Sequence, residues 1–378
     1  MKNDLEILAD LKKLSGTHSP SIETLLEKTN FKIDVDACFL SNPYATSLFM
    51  DCLSRDILNK GKLRDLLEFY PPQNRQVAEY VSVFENVPGG EVFVGNGAIE
   101  VIQAAIHRFA GRRMALPIPT FSSYYEYAFD VSEVEYYRLR KEDNFILDLG
   151  DYSKFIEDRG CSSAVLINPN NPNGGYINQS DIEKFLEQNR SLDLILLDES
   201  FKHFAYEDDA LSSVVWSDIV KDHPNVVVVK SLSKDFGVAG LRCGYGIMQS
   251  QRVDSFLKNG YLWNVSGISA YFFKLLSDEK FQESYEVVRK KYIMNTLMFF
   301  NELSTIENLK LYPSKANFAL LEVSNMTSWD LFAGLLDKGI YVRDCSDKKG
   351  LDGNFIRVAS RAFEDNLKIV KALRDILE

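Results

Sequence analysis

The chain has 378 residues, 46% of them hydrophobic and 26% charged, with a formal net charge of -11 at pH 7. That describes a globular chain long enough for one large core and a smaller appended domain. With no Lys/Arg block to meet a phosphate backbone, the acidic balance argues against nucleic acid as a partner. No run approaches the roughly 18 apolar residues of a membrane span.

Residues 1 to 14 carry Leu5, Leu8, Leu11 and Leu14 at helical spacing and stop at Ser15-Gly16. They predict an amphipathic arm packed on a partner subunit or on the small domain. Met1 to Glu6 is acidic where an export signal needs a basic start. The five cysteines, Cys38, Cys52, Cys161, Cys243 and Cys345, are scattered and lack C-x-x-C spacing, and the four histidines lack metal-ligand spacing. A cytoplasmic protein without a metal or a disulfide framework is expected.

From about 48 to 250, short apolar runs alternate with helix-length amphipathic stretches. The runs are Glu91–Val94, Met114–Leu116, Val134–Leu139, Ala164–Ile167, Leu194–Leu197, Val226–Val229 and Gly244–Met248. This predicts a large α/β domain over 48–250 with a largely parallel sheet. Its ligands should gather on loops at the carboxyl ends of strands. Beyond 250 come a long helical run from Asp278 to Leu303, short strands near Phe318–Val323, Ile340–Val342 and Phe355–Ala359, and a closing helix from Asp365. Residues 251–378 with 1–47 are therefore expected to form a small α+β domain.

Several loops carry groups suited to chemistry. Gly95-Asn96-Gly97-Ala98-Ile99-Glu100 follows a strand and opens a helix, where N–H groups and the helix dipole make an anion site. A dinucleotide turn is opposed by Glu100 in place of a third glycine and by the lack of an acid about 20 positions on. Pro119 to Tyr124 contains Phe121, a flat ring able to stack on another. Asn168-Pro169-Asn170-Asn171-Pro172-Asn173-Gly174 is a stiff, turn-rich loop. Leu194–Leu197 ends in Asp198, an acid at the mouth of a buried strand, and alternation turns Glu199 the other way. The valines 226–229 read as a strand buried on both faces. They lead into Lys230-Ser231-Leu232-Ser233-Lys234-Asp235-Phe236-Gly237-Val238-Ala239-Gly240-Leu241-Arg242. A lysine in that position is partly desolvated, which lowers its pKa and frees its amine for Schiff-base chemistry. Ser231, Ser233 and Arg242 are donors for a phosphate. Near the end of the chain, Arg343, Arg357 and Arg361 are suited to anionic groups. Taken singly, each of these has an ordinary reading as a surface residue, a cap or a turn.

Together they do not. The string Ser-Leu-Ser-Lys-x-Phe-Gly-x-x-Gly-x-Arg from Ser231 to Arg242 resembles the pyridoxal-phosphate lysine segment of class I/II aminotransferases. It is most like histidinol-phosphate aminotransferases and threonine-phosphate decarboxylase. From Asn42 to Arg361 the remaining elements stand in the family's order. The resemblance implies the fold type I architecture, an α/β domain with a mostly parallel seven-stranded sheet plus a smaller α+β domain. It makes Lys234 the Schiff-base lysine and pairs Asp198 with the protonated ring nitrogen. Phe121 would stack on the ring and Asn171 would donate to its phenolic oxygen. Ala98 and Ile99 would hold the phosphate alongside Ser231, Ser233 and Arg242. Tyr70, in Tyr70-Pro71, would reach the neighbouring subunit's cofactor, which implies a homodimer. Tyr44, in Asn42-Pro43-Tyr44, would close over the substrate. Arg357 would take the substrate carboxylate, with Arg343 and Arg361 available for a second anionic group.

The activity this implies first is amino transfer between a small amino acid or phosphorylated amine and a keto acid. The Arg357-x-x-x-Arg361 spacing, more like threonine-phosphate decarboxylase, supplies the alternative of decarboxylating a phosphorylated amino acid. A non-catalytic cofactor-binding protein is opposed by the intact set Lys234, Asp198, Asn171 and Arg242. The family often has Asp-x-x-Tyr, and this chain has Phe201 at the tyrosine's place. One hydrogen bond to the phenolic oxygen is then missing, worth roughly 1–3 kcal/mol to a charged acceptor. The lysine–cofactor imine should therefore hold its proton to higher pH than in the Phe201→Tyr variant. Absorbance titrations of the two would test this, and superimposable curves would defeat it.

Overall fold

The four valines lie on an inner strand of a seven-stranded sheet, buried on both of its faces. Val226 and Val228 enter one core layer, and Val227 and Val229 the other. The computed structural model describes residues 2–14, 18–205 and 216–378. In chain order the strands are β1 Val35–Asp36, β2 Val92–Asn96, β3 Arg113–Ile118, β4 Glu133–Arg138, β5 Ser163–Ile167, β6 Leu194–Asp198 and β7 Val226–Ser231. They continue with β8 Cys243–Met248, β9 Leu309–Leu311, β10 Phe318–Val323, β11 Ile340–Tyr341, β12 Arg343–Asp344 and β13 Phe355–Ala359.

The large sheet runs β2-β8-β7-β6-β5-β3-β4. β8 is antiparallel to both of its neighbours, and the other pairs are parallel. Every residue of β5, β6 and β7 is buried, as helices on both faces of a parallel sheet require. One consequence sets the position of the site: β2, β3, β5, β6 and β7 all point the same way. Their carboxyl ends deliver the glycine loop, Pro119, Asn168, Asp198 and Ser231 to one edge.

A second sheet, β12-β13-β10-β9, is antiparallel, and β1 pairs with β11 alongside it. β1 and β9 are too short for a periodic pattern to show in the sequence. Leu8 of the helix Lys2–Leu14 is buried in the core beside this sheet, with Leu25, Val35 and Leu373. Lys12 pairs with Asp344 of β12. The arm thus packs on the small sheet; its expected end at Ser15-Gly16 lies outside the described residues.

The helix Glu279–Leu303 is capped by Asp278, whose side chain accepts from the N–H groups of Lys280 and Phe281. It joins the two cores. Phe281 and Tyr285 pack with the large sheet, and Phe299, Phe300 and Leu303 with the small one. Val265, Phe272 and Phe273 also belong to the large-sheet core. The two-domain division remains a proposal, and this packing favours a second boundary inside the helix rather than at 250. Among the described residues no helix is long and apolar enough to cross a membrane.

Candidate active site

A cavity of about 340 Å³ opens at the carboxyl edge of the large sheet, with the segment Cys38–Ser41 and the small sheet's arginines forming its other walls. The helix Ala98–Phe109 begins here at Gly97, φ +80°, with no side chain capping it. Its first-turn N–H groups, those of Ala98 and Ile99 among them, are thus left for a ligand. A Cβ at position 97 would stand 2.6 Å from the Arg242 guanidinium, and one on Gly244 would stand 2.2 Å from the Ala98 nitrogen. These two glycines let β8 and Arg242 close on the helix start. Arg242 donates to the Ser233 hydroxyl at 3.5 Å and to the Ala239 carbonyl at 3.1 Å.

Ser231 ends β7 and caps the turn Leu232–Asp235, accepting from the Ser233 N–H. Its Oγ also accepts from Lys234 Nζ at 3.0 Å. Burial holds the Lys234 amine below its ordinary pKa; Asp198 pulls the other way, and Arg242 and Arg357 add to the lowering. The ring of Phe201 lies 5.7 Å from this nitrogen.

Asp198, at the end of β6, is 6% exposed and accepts from the Ser200 N–H at 2.8 Å. Its other oxygen accepts from the Tyr124 hydroxyl. Burial, with Asp198 beside it, raises the Tyr124 pKa well above the ordinary phenol value. Sequence reasoning missed this tyrosine's contact, although Tyr124 closes the quoted Pro119 to Tyr124 motif. Phe121 lines the cavity with His18 edge-on to its ring at 5.6 Å. Asn171 Oδ1 accepts from Arg357 Nη1 at 2.7 Å, which turns the amide's NH2 into the free donor. Arg357 Nη2 donates to the Cys38 carbonyl at 2.7 Å, while its buried Nε has no hydrogen-bond partner.

Arg343 also lines the cavity, bonded to both oxygens of Asp347 at 2.7 and 2.8 Å. Beside it is Lys348, which no motif marked. The structure does not bring Arg361 into this cavity. β13 stops at Ala359 and the chain turns into the helix Phe363–Leu377, so strand alternation no longer carries from Arg357 to Arg361. Arg361 instead donates to the Ser41 carbonyl at 2.7 Å and faces a shallow depression with Pro43 and Asp51. Tyr44 lies outside too, its ring 6.1 Å from Tyr292 and its hydroxyl accepting from the Phe363 N–H at 3.3 Å. Tyr70 is on the surface, 86% exposed.

A family model described as aminotransferase class I and II matches residues 56–373. The chain belongs to this family. Its cofactor is pyridoxal phosphate, and the residues present fit that group. An uncapped helix start, a guanidinium and two hydroxyls suit its phosphate. A buried carboxylate suits its ring nitrogen, and an amine of lowered pKa suits its aldehyde. Within this aminotransferase family, an L-serine phosphate decarboxylase of Campylobacter jejuni is 47% identical over 380 residues, covering all of this chain and 97% of the relative. The solved structure of a decarboxylase from Sulfurospirillum multivorans superposes with a TM-score of 0.94 at 41% identity, covering 100% and 97% of the two chains. A histidinol-phosphate aminotransferase of Methanococcus aeolicus is 30% identical, covering 89% and 88%. The full-length match to decarboxylases overturns the first expectation, that this enzyme transfers amino groups to a keto acid. That expectation rested on motifs implied to bind the cofactor, which both kinds of enzyme use, and so they do not discriminate between reactions.

Removing the Tyr124 hydroxyl leaves a buried carboxylate oxygen without its donor. Tyr124→Phe should destabilise the cofactor-free protein by about 1–3 kcal/mol, read from urea denaturation; an unchanged midpoint would contradict the bond.

Proposed function

We propose that this enzyme decarboxylates a phosphorylated amino acid, O-phospho-L-serine, releasing CO2 and the phosphorylated amine. The reading is carried by the second cationic group of the cavity, Arg343, Lys348 and Arg357, separate from Arg242. A substrate with both a carboxylate and a phosphate matches that charge. The full-length relative that acts on L-serine phosphate supports the same choice.

When bound, pyridoxal phosphate supplies the electron sink that lets a bond at the amino carbon break. Lys234 would hold the cofactor aldehyde, and its amine, kept from being a permanent cation by burial, would deliver the proton that replaces CO2 on that carbon. Asp198 would keep the ring nitrogen protonated, and Ser231, Ser233, Arg242 and the N–H groups of Ala98 and Ile99 would fix the phosphate. Phe121 would stack on the ring, and Asn171 would donate to the phenolic oxygen. Arg357, braced by Asn171 and Cys38, would orient the carboxylate. Cys38, Phe39 and Leu40 give the cavity an apolar wall, and a carboxylate desolvated there would lose its charge more readily as CO2.

A homodimer is part of this reading. Leu67, Phe69, Tyr70, Leu262 and Trp263 are 69, 64, 86, 47 and 52% exposed, and the rings of Tyr70 and Trp263 are 5.8 Å apart. An apolar group of that size on the surface suits a subunit contact. A cytoplasmic location agrees with cysteines that are all free and buried.

The holoenzyme with O-phospho-L-serine should release CO2 and O-phosphoethanolamine without any keto acid. A strict keto-acid requirement with no CO2 would overturn the proposal. Trp263→Glu should shift the protein from dimer to monomer in light scattering and lower activity; a monomeric wild type would sink the subunit reading.

A further inference from the structure

We propose that Lys348 grips the phosphate of the substrate and thereby sets the preference for phosphorylated over unphosphorylated amino acids. The inference rests on the reading that the substrate carries a phosphate, and it replaces the role first given to Arg361. Lys348 sits in the loop between β12 and β13, on a turn made by its N–H to the Cys345 carbonyl at 2.9 Å and by the Leu351 N–H to its own carbonyl at 3.1 Å. Its side chain borders the cavity and the residue is 7% exposed. A lysine this buried is normally paired. Of the charged and titratable groups around it, Arg343, Cys345, Arg357 and Asp347 act on it most, and His18 lines the same cavity. The only carboxylate in that set, Asp347, is held by both of its oxygens to Arg343.

This corner of the cavity is therefore net positive. Arg357 accounts for a carboxylate, and the remaining charge calls for a second anion. An ammonium on a flexible stem is a point charge well suited to phosphate. Burial, with Arg343 next, brings the Lys348 pKa down to about 8. It is thus protonated at neutral pH, and an arriving anion would hold that proton in place.

The test uses holoenzyme and two ligands that separate the anions. O-phosphoethanolamine has the amine and phosphate without the carboxylate, and L-serine has the amine and carboxylate without the phosphate. Binding is read from the cofactor's absorbance. Lys348→Gln should weaken O-phosphoethanolamine roughly 10- to 100-fold, the range of a charge-assisted contact, and leave L-serine nearly unaffected. Lys348→Arg should recover most of the loss. Lys349→Gln removes the same charge one residue on, at an exposed site over the Tyr136 ring, and should change neither ligand. Equal weakening of both ligands, or of L-serine alone, would overturn the proposal.

A pH series guards against a variant that folds poorly. In the wild type, O-phosphoethanolamine affinity should fall as pH rises through about 8, and in Lys348→Arg the fall should move to higher pH. A fall unmoved in Lys348→Arg would overturn the assignment. None of these measurements depends on CO2 release, so failure to decarboxylate O-phospho-L-serine would defeat the functional reading and leave this one to be judged on binding.

Discussion

The Ser231 hydroxyl caps the turn that carries Lys234 and also accepts a hydrogen bond from that lysine's amine. The bond gives the amine one polar partner in a place where water is scarce, and the burial around it lowers the amine's pKa. Any shift of β7 along its neighbours would move the cap and the amine together. The register of the central sheet is therefore also the register of the chemistry.

Behind that turn lies a buried set of ionisable groups. Asp235, next in the chain to Lys234, is within 3.2 Å of Lys230 Nζ and 3.0 Å of His203 Nδ1. Burial alone would raise the Asp235 pKa, but the neighbouring Lys230 and His203 outweigh it and hold the carboxyl below its ordinary range. His203, pushed down to about 4 mainly by burial, is neutral in this arrangement. Removing one member would leave another charge unpaired in the core, a larger cost than any single bond here contributes.

The cavity itself divides by charge. Arg242 with its hydroxyl and N–H neighbours makes one cationic group, and Arg343, Lys348 and Arg357 make another, with Lys234 close enough to feel both Arg242 and Arg357. Asn171 connects the halves, because its bond to Arg357 sets which end of its amide faces the cofactor side. Amino transfer and decarboxylation can share nearly all of this. They differ in which bond at the amino carbon is held perpendicular to the ring, and that depends on how the second site grips its anions.

The seven strand runs of the large sheet and the long helix were legible in the sequence, as were most of the residues that the fold gathers at one cavity. Buried parallel strands write continuous apolar runs, and a lysine, an acid and a glycine loop at strand ends have few other uses in combination. β1 and β9 were not legible, being too short to carry a period. Neither was the contact between Tyr124 and Asp198, which joins residues 74 positions apart. Arg361 shows the limit most clearly. Its spacing from Arg357 suggested a shared site, yet the strand ends between them and the chain turns away. Lys348 shows the converse, a lysine in a charged loop that reads as solvated until the fold buries it. By itself, then, the sequence determined the large sheet, because local periodicity is a property of neighbours in the chain, and its family resemblance determined the cofactor. Which cations share the cavity was decided only by the tertiary structure, because that depends on where strands stop and which loops the packing buries.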